Sequence, residues 1–325
     1  MSDINVVPNS NFISIGGSVV PDNASDEYRL YRRCWDENPK NFILRDMPLH
    51  LDIEATSYCN LRCTFCDRQI LVDKGMLGKM DMELFRHILD QFDENNRLWG
   101  VKFSYRGEPL LHDGIPEMIR YAKSRGVLDI YFNTNAMLLT EDKCRQIIEA
   151  GLDRISISLD GTEKEAYEAV RIGANFDTVV KNIETLRRMR EEMNSPIPKI
   201  RIQTVKLPDT DKDAYINKWQ PYADEVAMLE YTDETKRETG IDVKWACPQL
   251  WQRLTIEWDG SVFACNNDSL RGLYLGNAKE RSIRDCWHDE RLMKVRKLHE
   301  QGRSCEVKAC DGCPWRTAQI RKSGL

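Results

Sequence analysis

From residue 49 to about 231 the sequence alternates short β-branched runs with longer amphipathic stretches, and this alternation constrains the fold more than any other feature of the chain. Repeated βα units bury their strands only by laying them parallel under a cover of helices. The runs predict strands over 49–56, 100–105, 128–133, 154–159, 199–207 and 225–230, with helices over 81–95, 114–125, 141–150, 175–193 and 211–219. Several helices carry their own punctuation: Asp81 stands ahead of Leu84, Ile88 and Leu89, and Gly126 and Gly151 close two others.

The strand faces say which parallel architecture this is. Ile155, Ile157 and Leu159 fall on one side of the fourth run, and Ser156, Ser158 and Asp160 on the other; in the fifth, Ile200 and Ile202 oppose Arg201 and Gln203. A flat sheet covered on both faces would be apolar on both. One polar face on successive parallel strands instead predicts a curved sheet with helices outside and a wet lumen inside. The expected fold class is α/β: a partial, TIM-like (β/α)6 barrel over 46–231, then a charged link over 232–244 and a small α+β module with a β-hairpin over 245–325. Pro196, Pro198 and Pro208 punctuate the fifth run, and residues 1–45 form an extension with only an amphipathic hint at 28–35.

Composition narrows the chemistry. The net charge of -5 leaves no broad basic face, which argues against nucleic-acid and membrane partners and for a small-molecule or peptide substrate. No apolar run approaches the roughly 20 residues of a membrane span, and the polar start is unlike a signal peptide, so a cytoplasmic protein is expected. Eleven cysteines are then many, because cytoplasmic thiols stay reduced. They cluster at ligand spacings, where a disulfide framework would spread them, and this points to metal or redox chemistry.

Cys59, Cys63 and Cys66 make a CxxxCxxC just after the first strand, at the barrel end where loops gather ligands. Three thiolates can hold three irons of a cubane and leave the fourth open. A structural zinc site takes four closed ligands, and no fourth Cys or His follows nearby. With Phe65 immediately before the last cysteine, this segment resembles the radical S-adenosylmethionine (SAM) superfamily, and the resemblance extends over most of the chain. Residues 105–109, Tyr-Arg-Gly-Glu-Pro, look like the family's GGEP motif, with Arg106 in place of the first glycine; the resemblance implies that Gly107 and Glu108 bind the SAM amino group. Residues 133–136, Asn-Thr-Asn-Ala, are similar to its TNG turn and contain Asn135, and residues 156–161 resemble the segment whose Ser158 and Asp160 would lie near the SAM ribose and methionine. Each motif alone is a turn or a helix cap; their order at successive strand ends is what is specific.

In the second module, Cys247 and Cys265 flank two short runs around an Asp259-Gly260 turn, and a CxxC follows at Cys310 and Cys313. The hairpin can bring the first pair together and the CxxC can close a four-thiolate site, which suits either a fully ligated [4Fe-4S] cluster or zinc. The pattern resembles the start of the SPASM module, in the truncated form called twitch, since no cysteine follows Cys313. Cys305 is a possible substitute ligand, and Cys286 and Cys305 are candidate hydrogen-atom donors; Cys144, in a helix, reads as packing.

The resemblance implies two [4Fe-4S] clusters, SAM, and a reductant such as flavodoxin or ferredoxin. The chemistry it implies is hydrogen abstraction from a substrate carbon by a 5'-deoxyadenosyl radical, with the second cluster favouring net oxidation. Oxidation or epimerisation of a carbinol carbon in a sugar or cyclitol is the first expectation, and Arg201, Gln203, Glu54 and Asp52 are lumen candidates to bind it, or else to pair with one another. Modification of a ribosomally made peptide is the alternative, and a noncatalytic iron-sulfur sensor or a zinc-bearing adaptor the reading outside that class.

Overall fold

The computed structural model describes residues 12–18, 24–66, 68, 72–206, 210–230, 238–241, 243, 245, 247–268 and 271–322. Leu207, Pro208 and most of the charged link lie outside the described residues. The strands are β1 (Phe12–Gly17), β2 (His50–Ile53), β3 (Arg62–Cys63), β4 (Gly100–Lys102), β5 (Asp129–Thr134), β6 (Arg154–Ser158), β7 (Arg171–Ile172), β8 (Lys199–Lys206), β9 (Glu225–Glu230), β10 (Arg253–Ile256), β11 (Ser261–Phe263) and β12 (Tyr274–Asn277).

Ten of them form one sheet in the order β1-β9-β8-β6-β5-β4-β2-β10-β11-β12. Six expected strands, β2, β4, β5, β6, β8 and β9, lie parallel and in sequence order, so the partial (β/α)6 barrel is borne out. The crossovers are helical: Met82–Leu89, Ile115–Ser124, Glu141–Ala150 and Phe176–Glu192. Their starts are capped as the sequence suggests, with Asp81 Oδ1 accepting from Leu84 N at 2.7 Å and Asn175 Oδ1 from Thr178 N at 2.8 Å. The first of these helices stops at Leu89, short of the expected residue 95, because the chain turns around Asp93, whose Oδ1 accepts from the amides of Asn95 and Asn96.

The expected hairpin is present as the antiparallel pair β10–β11, but the pairings at both edges of the barrel sheet are ones the sequence pattern left unread. β1 pairs antiparallel with β9, and the helix Asp26–Lys40 covers the N-terminal end of the strands. That helix buries Tyr31 and Trp35 against Leu49 and Trp99 in a separate apolar cluster. At the other edge β10 pairs parallel with β2, so the second module continues the barrel's sheet, and a single apolar core runs from Leu51 and Phe103 to Leu254 and Trp287.

The strand faces separate as expected. Leu51, Ile53, Val101, Ile130, Ile155, Ile157, Ile200 and Ile202 are buried in that core. The opposite face is buried and ionic: Arg154 forks onto Asp129 at 2.7 Å, Arg201 reaches Glu225 at 2.8 Å, and Asp52 lies 3.2 Å from Arg253 and 3.3 Å from His50. Burial opposes ionisation of Asp52, but Arg253 and His50 together hold its carboxyl below the usual range. The lower lumen is therefore filled by mutually paired side chains, Asp52 and Arg201 among them.

Candidate active site

The loop after β2 is held on three sides. Thr56 and Ser57 donate their hydroxyls to Gly78 O, and Gly78 N donates to Ser57 Oγ at 2.8 Å. Gly107 closes a second side: a Cβ there would stand 2.0 Å from Thr56 O and 2.8 Å from Tyr58 O, so only glycine lets the backbone after β4 lie on this loop. On the third side β3, which contains Cys63, pairs with β7. Cys59 and Cys63 are half-buried and Cys66 is exposed. Burial pushes the Cys59 and Cys63 thiols up, and the neighbouring thiols of the triplet push the same way, while the Arg171 guanidinium works against this at Cys63. Metal binding at such thiols releases protons.

The next three motifs converge on this loop. Glu108 is buried and accepts from Thr134 Oγ1 at 2.7 Å, Asn135 N at 2.9 Å and Leu110 N at 3.2 Å, while its own amide donates to Tyr58 O. Three of the four or so lone-pair directions of its carboxylate are thus used within the chain. Asn135 donates to Asn60 Oδ1 at 2.9 Å and lies 4.0 Å from Cys59 Sγ. Asp160 accepts from Thr204 and Val205 through Oδ1 and from Arg171 through Oδ2. Arg171 in turn stands 4.0 Å from Cys63 Sγ and 5.5 Å from the centre of the exposed Phe65 ring. Ser158 is the last residue of β6, two positions before Asp160.

The second set of cysteines also comes together. Cys247, ahead of the short helix Gln249–Gln252, Cys265, after β11, and Cys310 and Cys313 all line one cavity of about 360 Å³ of atom-free space, part of it open to solvent. Asn267, Asp268, His299 and Arg316 complete its polar wall. Burial pushes all of Cys247, Cys265 and Cys310 up, and each is raised further by other thiols of the set. Burial, aided by the Arg316 charge, holds the His299 ring down at about 4, against the pull of the Trp245 backbone. Among the described residues no three His, Cys, Asp or Glu side chains converge as a single-ion site would require. Soft donors spread around a cavity fit an iron-sulfur cluster at this place.

The description of the Radical SAM superfamily matches residues 53–213, and that of the SPASM iron-sulfur cluster-binding domain matches residues 247–314. The chain belongs to the radical SAM superfamily and carries a C-terminal SPASM domain. It is 27% identical over 319 residues to the tungsten-containing aldehyde ferredoxin oxidoreductase cofactor-modifying protein of Pyrococcus furiosus, covering 81% of this chain and 88% of that protein. It is 34% identical over 133 residues to a probable GTP 3',8-cyclase of Methanococcus maripaludis, covering 41% of this chain and 43% of the cyclase. Two solved structures share the fold: anSMEcpe with bound AdoMet, at a TM-score of 0.61 and 17% identity over 85% of this chain and 92% of that one, and BtrN in complex with AdoMet and 2-DOIA, at 0.53 and 16% over 82% and 93%. Iron-sulfur and SAM chemistry thus belongs to this radical SAM chain, and among the described residues no helix is long and apolar enough to cross a membrane.

Above the ionic layer, the C-terminal rim of β10, β2 and β4 presents Glu257, Glu54 and Arg106. Arg106, the departure from the GGEP pattern, lies over the Tyr105 ring at 4.2 Å and pairs with Glu257 at 3.1 Å. Glu257 also takes Arg271 at 2.6 Å, so a residue of the SAM-motif strand is tied to the SPASM domain. Gln203 is buried at the corresponding level of β8. Of the two candidate hydrogen donors, Cys286 is fully buried, 3.9 Å from Leu275 O, with burial pushing its thiol up to about 11. Cys305 is half-buried in the turn Ser304–Glu306 and does not line the four-thiol cavity. Arg171, Glu257, His299 and Arg316 escaped sequence reasoning: each is a lone polar residue far in sequence from the motif it serves, and no local spacing marks it.

Proposed function

We propose that the chain is a radical SAM enzyme that oxidises or epimerises a carbinol carbon of a small polar metabolite, with Cys59, Cys63 and Cys66 on an open cluster and Cys247, Cys265, Cys310 and Cys313 on a closed one. When bound, the open cluster and SAM supply a 5'-deoxyadenosyl radical for hydrogen abstraction, and the closed cluster supplies a one-electron acceptor. The single observation that carries this reading is that four thiols line one cavity in a module whose strand β10 is hydrogen-bonded directly to β2, the strand that leads into the triplet.

The chain's own part is to orient and to exclude water. Gly107 brings the Glu108 backbone onto the triplet loop, and Glu108, with Asn135, takes the SAM amino group. Ser158 and Asp160 take its ribose and methionine portions, Arg171 holds Asp160 in place, and Phe65 covers the outer side. Glu54 and Gln203 face the substrate from opposite walls of the lumen. Glu54 Oε1, Gln203 Oε1, Asn266 Oδ1 and Thr255 Oγ1 are buried with no partner in the protein. Three of these four atoms are acceptors, and buried acceptors call for donors. A hydroxyl-rich ligand meets that need.

The test is anaerobic reconstitution, then turnover with SAM and reduced flavodoxin or ferredoxin over sugars, cyclitols, nucleotides and cofactor precursors, in deuterated water. About eight irons per chain are expected for two cubanes. A product lighter by two hydrogens supports oxidation, and one solvent deuterium taken up supports epimerisation. Turnover of a peptide alone, or a colourless protein holding zinc, would overturn the reading.

A further inference from the structure

His299 belongs to the last turn of the helix Glu290–Glu300 and is fully buried. Its ring touches two of the four cradle residues at once. Nδ1 lies 3.4 Å from the Cys247 amide, which donates to it, and Nε2 lies 3.4 Å from Cys310 Sγ. A backbone N–H can only donate, so Nδ1 is the bare nitrogen and a neutral ring carries its hydrogen on Nε2, aimed at the sulfur. A sulfur that ligates iron has lost its proton and can only accept. Both contacts are met by the same tautomer, and the Trp245 backbone beside the ring is a further acceptor for its N–H.

Backbone amides also face cradle sulfurs, with Asn267 N donating to Cys265 Sγ at 3.2 Å and the Gln249 amide to Cys247; His299 adds a side-chain N–H at Cys310. Arg316 is buried and donates to Ile241 O at 3.0 Å, and Asp268 accepts from Leu273 N at 2.6 Å through Oδ2. Their opposite charges flank the same cavity, so neither sign dominates it. A reduced cluster carries one more negative charge than an oxidised one, and an N–H directed at a ligand sulfur stabilises the reduced form.

We propose that His299 is a positioning residue for the auxiliary cluster: it donates Nε2–H to the Cys310 sulfur and so holds that cluster at a higher reduction potential than its thiolates alone would give. The inference rests on the reading of this cavity as an iron-sulfur site, and it deepens that reading by making the cluster a better acceptor of the electron left on the substrate.

The experiment is a potentiometric titration followed by electron paramagnetic resonance on the full chain, in a Cys59→Ala, Cys63→Ala, Cys66→Ala background that leaves one cluster to observe. His299→Phe is expected to lower the reduced-to-oxidised ratio at fixed potential about tenfold, equivalent to a midpoint about 59 mV lower for a one-electron couple. His299→Gln, which keeps an N–H donor, is expected to recover most of that shift. An unchanged midpoint in His299→Phe, at about four irons per chain, would overturn the proposal. Should the Phe variant fail to take up iron, ¹⁵N-histidine labelling of the wild-type side chain decides, since His299 alone of the five histidines lines the cavity among the described residues. A resolved nitrogen coupling to the reduced cluster supports the contact, and none refutes it. Metal analysis separates the two levels: zinc in place of iron overturns the cluster reading itself, whereas iron with an unmoved midpoint overturns only the role of His299.

Discussion

Glu54 shows how one position on a strand acquires chemistry from its neighbours. Its carboxyl is buried at the end of β2, and burial, with the Glu257 charge beside it, pushes the group from 4.5 up to about 7, against the pull of Arg106 and the Trp258 amide. The native state therefore keeps a proton that the unfolded chain releases first. Stability from this group is full below about 4.5 and is lost as the pH rises through about 7, by up to roughly 3 kcal/mol. Glu54→Gln, which keeps the shape without the charge, should gain on the wild type by about 1–3 kcal/mol between pH 5 and 8. On a chain this long that is a shift of several degrees in relative thermal midpoint, and a pH-independent difference would show that Glu54 does not titrate in this range. The sequence marks Glu54 as facing a lumen by its register with Asp52. It cannot show the raised proton affinity, because Glu257 arrives from the other module.

At the scale of elements, local patterning reads well wherever a segment carries its own caps. The helix Glu141–Ala150 matches its expected bounds because Thr140 and Gly151 stop it from within the segment. The helix that begins after Asp81 runs shorter than its periodicity suggests, since an Asx turn at Asp93 outcompetes further helix. The ribbon β3–β7 is invisible to such reasoning: two-residue strands, more than a hundred residues apart, have no period. Gly107 is the joint between the β4 end and the triplet loop. Gly107→Ala places a methyl 2.0 Å from Thr56 O, and backbone cannot yield as a side chain tip can. The expected result is loss of about four of eight irons and of SAM binding, with the auxiliary cluster's signal retained. Full iron content and unchanged SAM affinity would show that this close approach is not needed.

Across the whole molecule, the parallel β2–β10 pairing and the continuous apolar core join the barrel to the SPASM module. The two should therefore unfold in one cooperative transition, with barrel and module amides losing protection together in hydrogen exchange; two resolved transitions would show that the shared sheet is only weakly coupling. The sequence by itself determined the βα alternation, the polar inner face and the two cysteine sets, because period, turn chemistry and ligand spacing are properties of contiguous residues. Only the tertiary structure decided that the N-terminal strand closes one edge and the hairpin extends the other, that Asp52 and Arg201 are spent on ion pairs, and that His299 and Arg171 stand against cysteines of the two sets. Those arrangements depend on which segments pair across the sheet, and edge strands and lone polar residues carry no local signal of the partner they will meet.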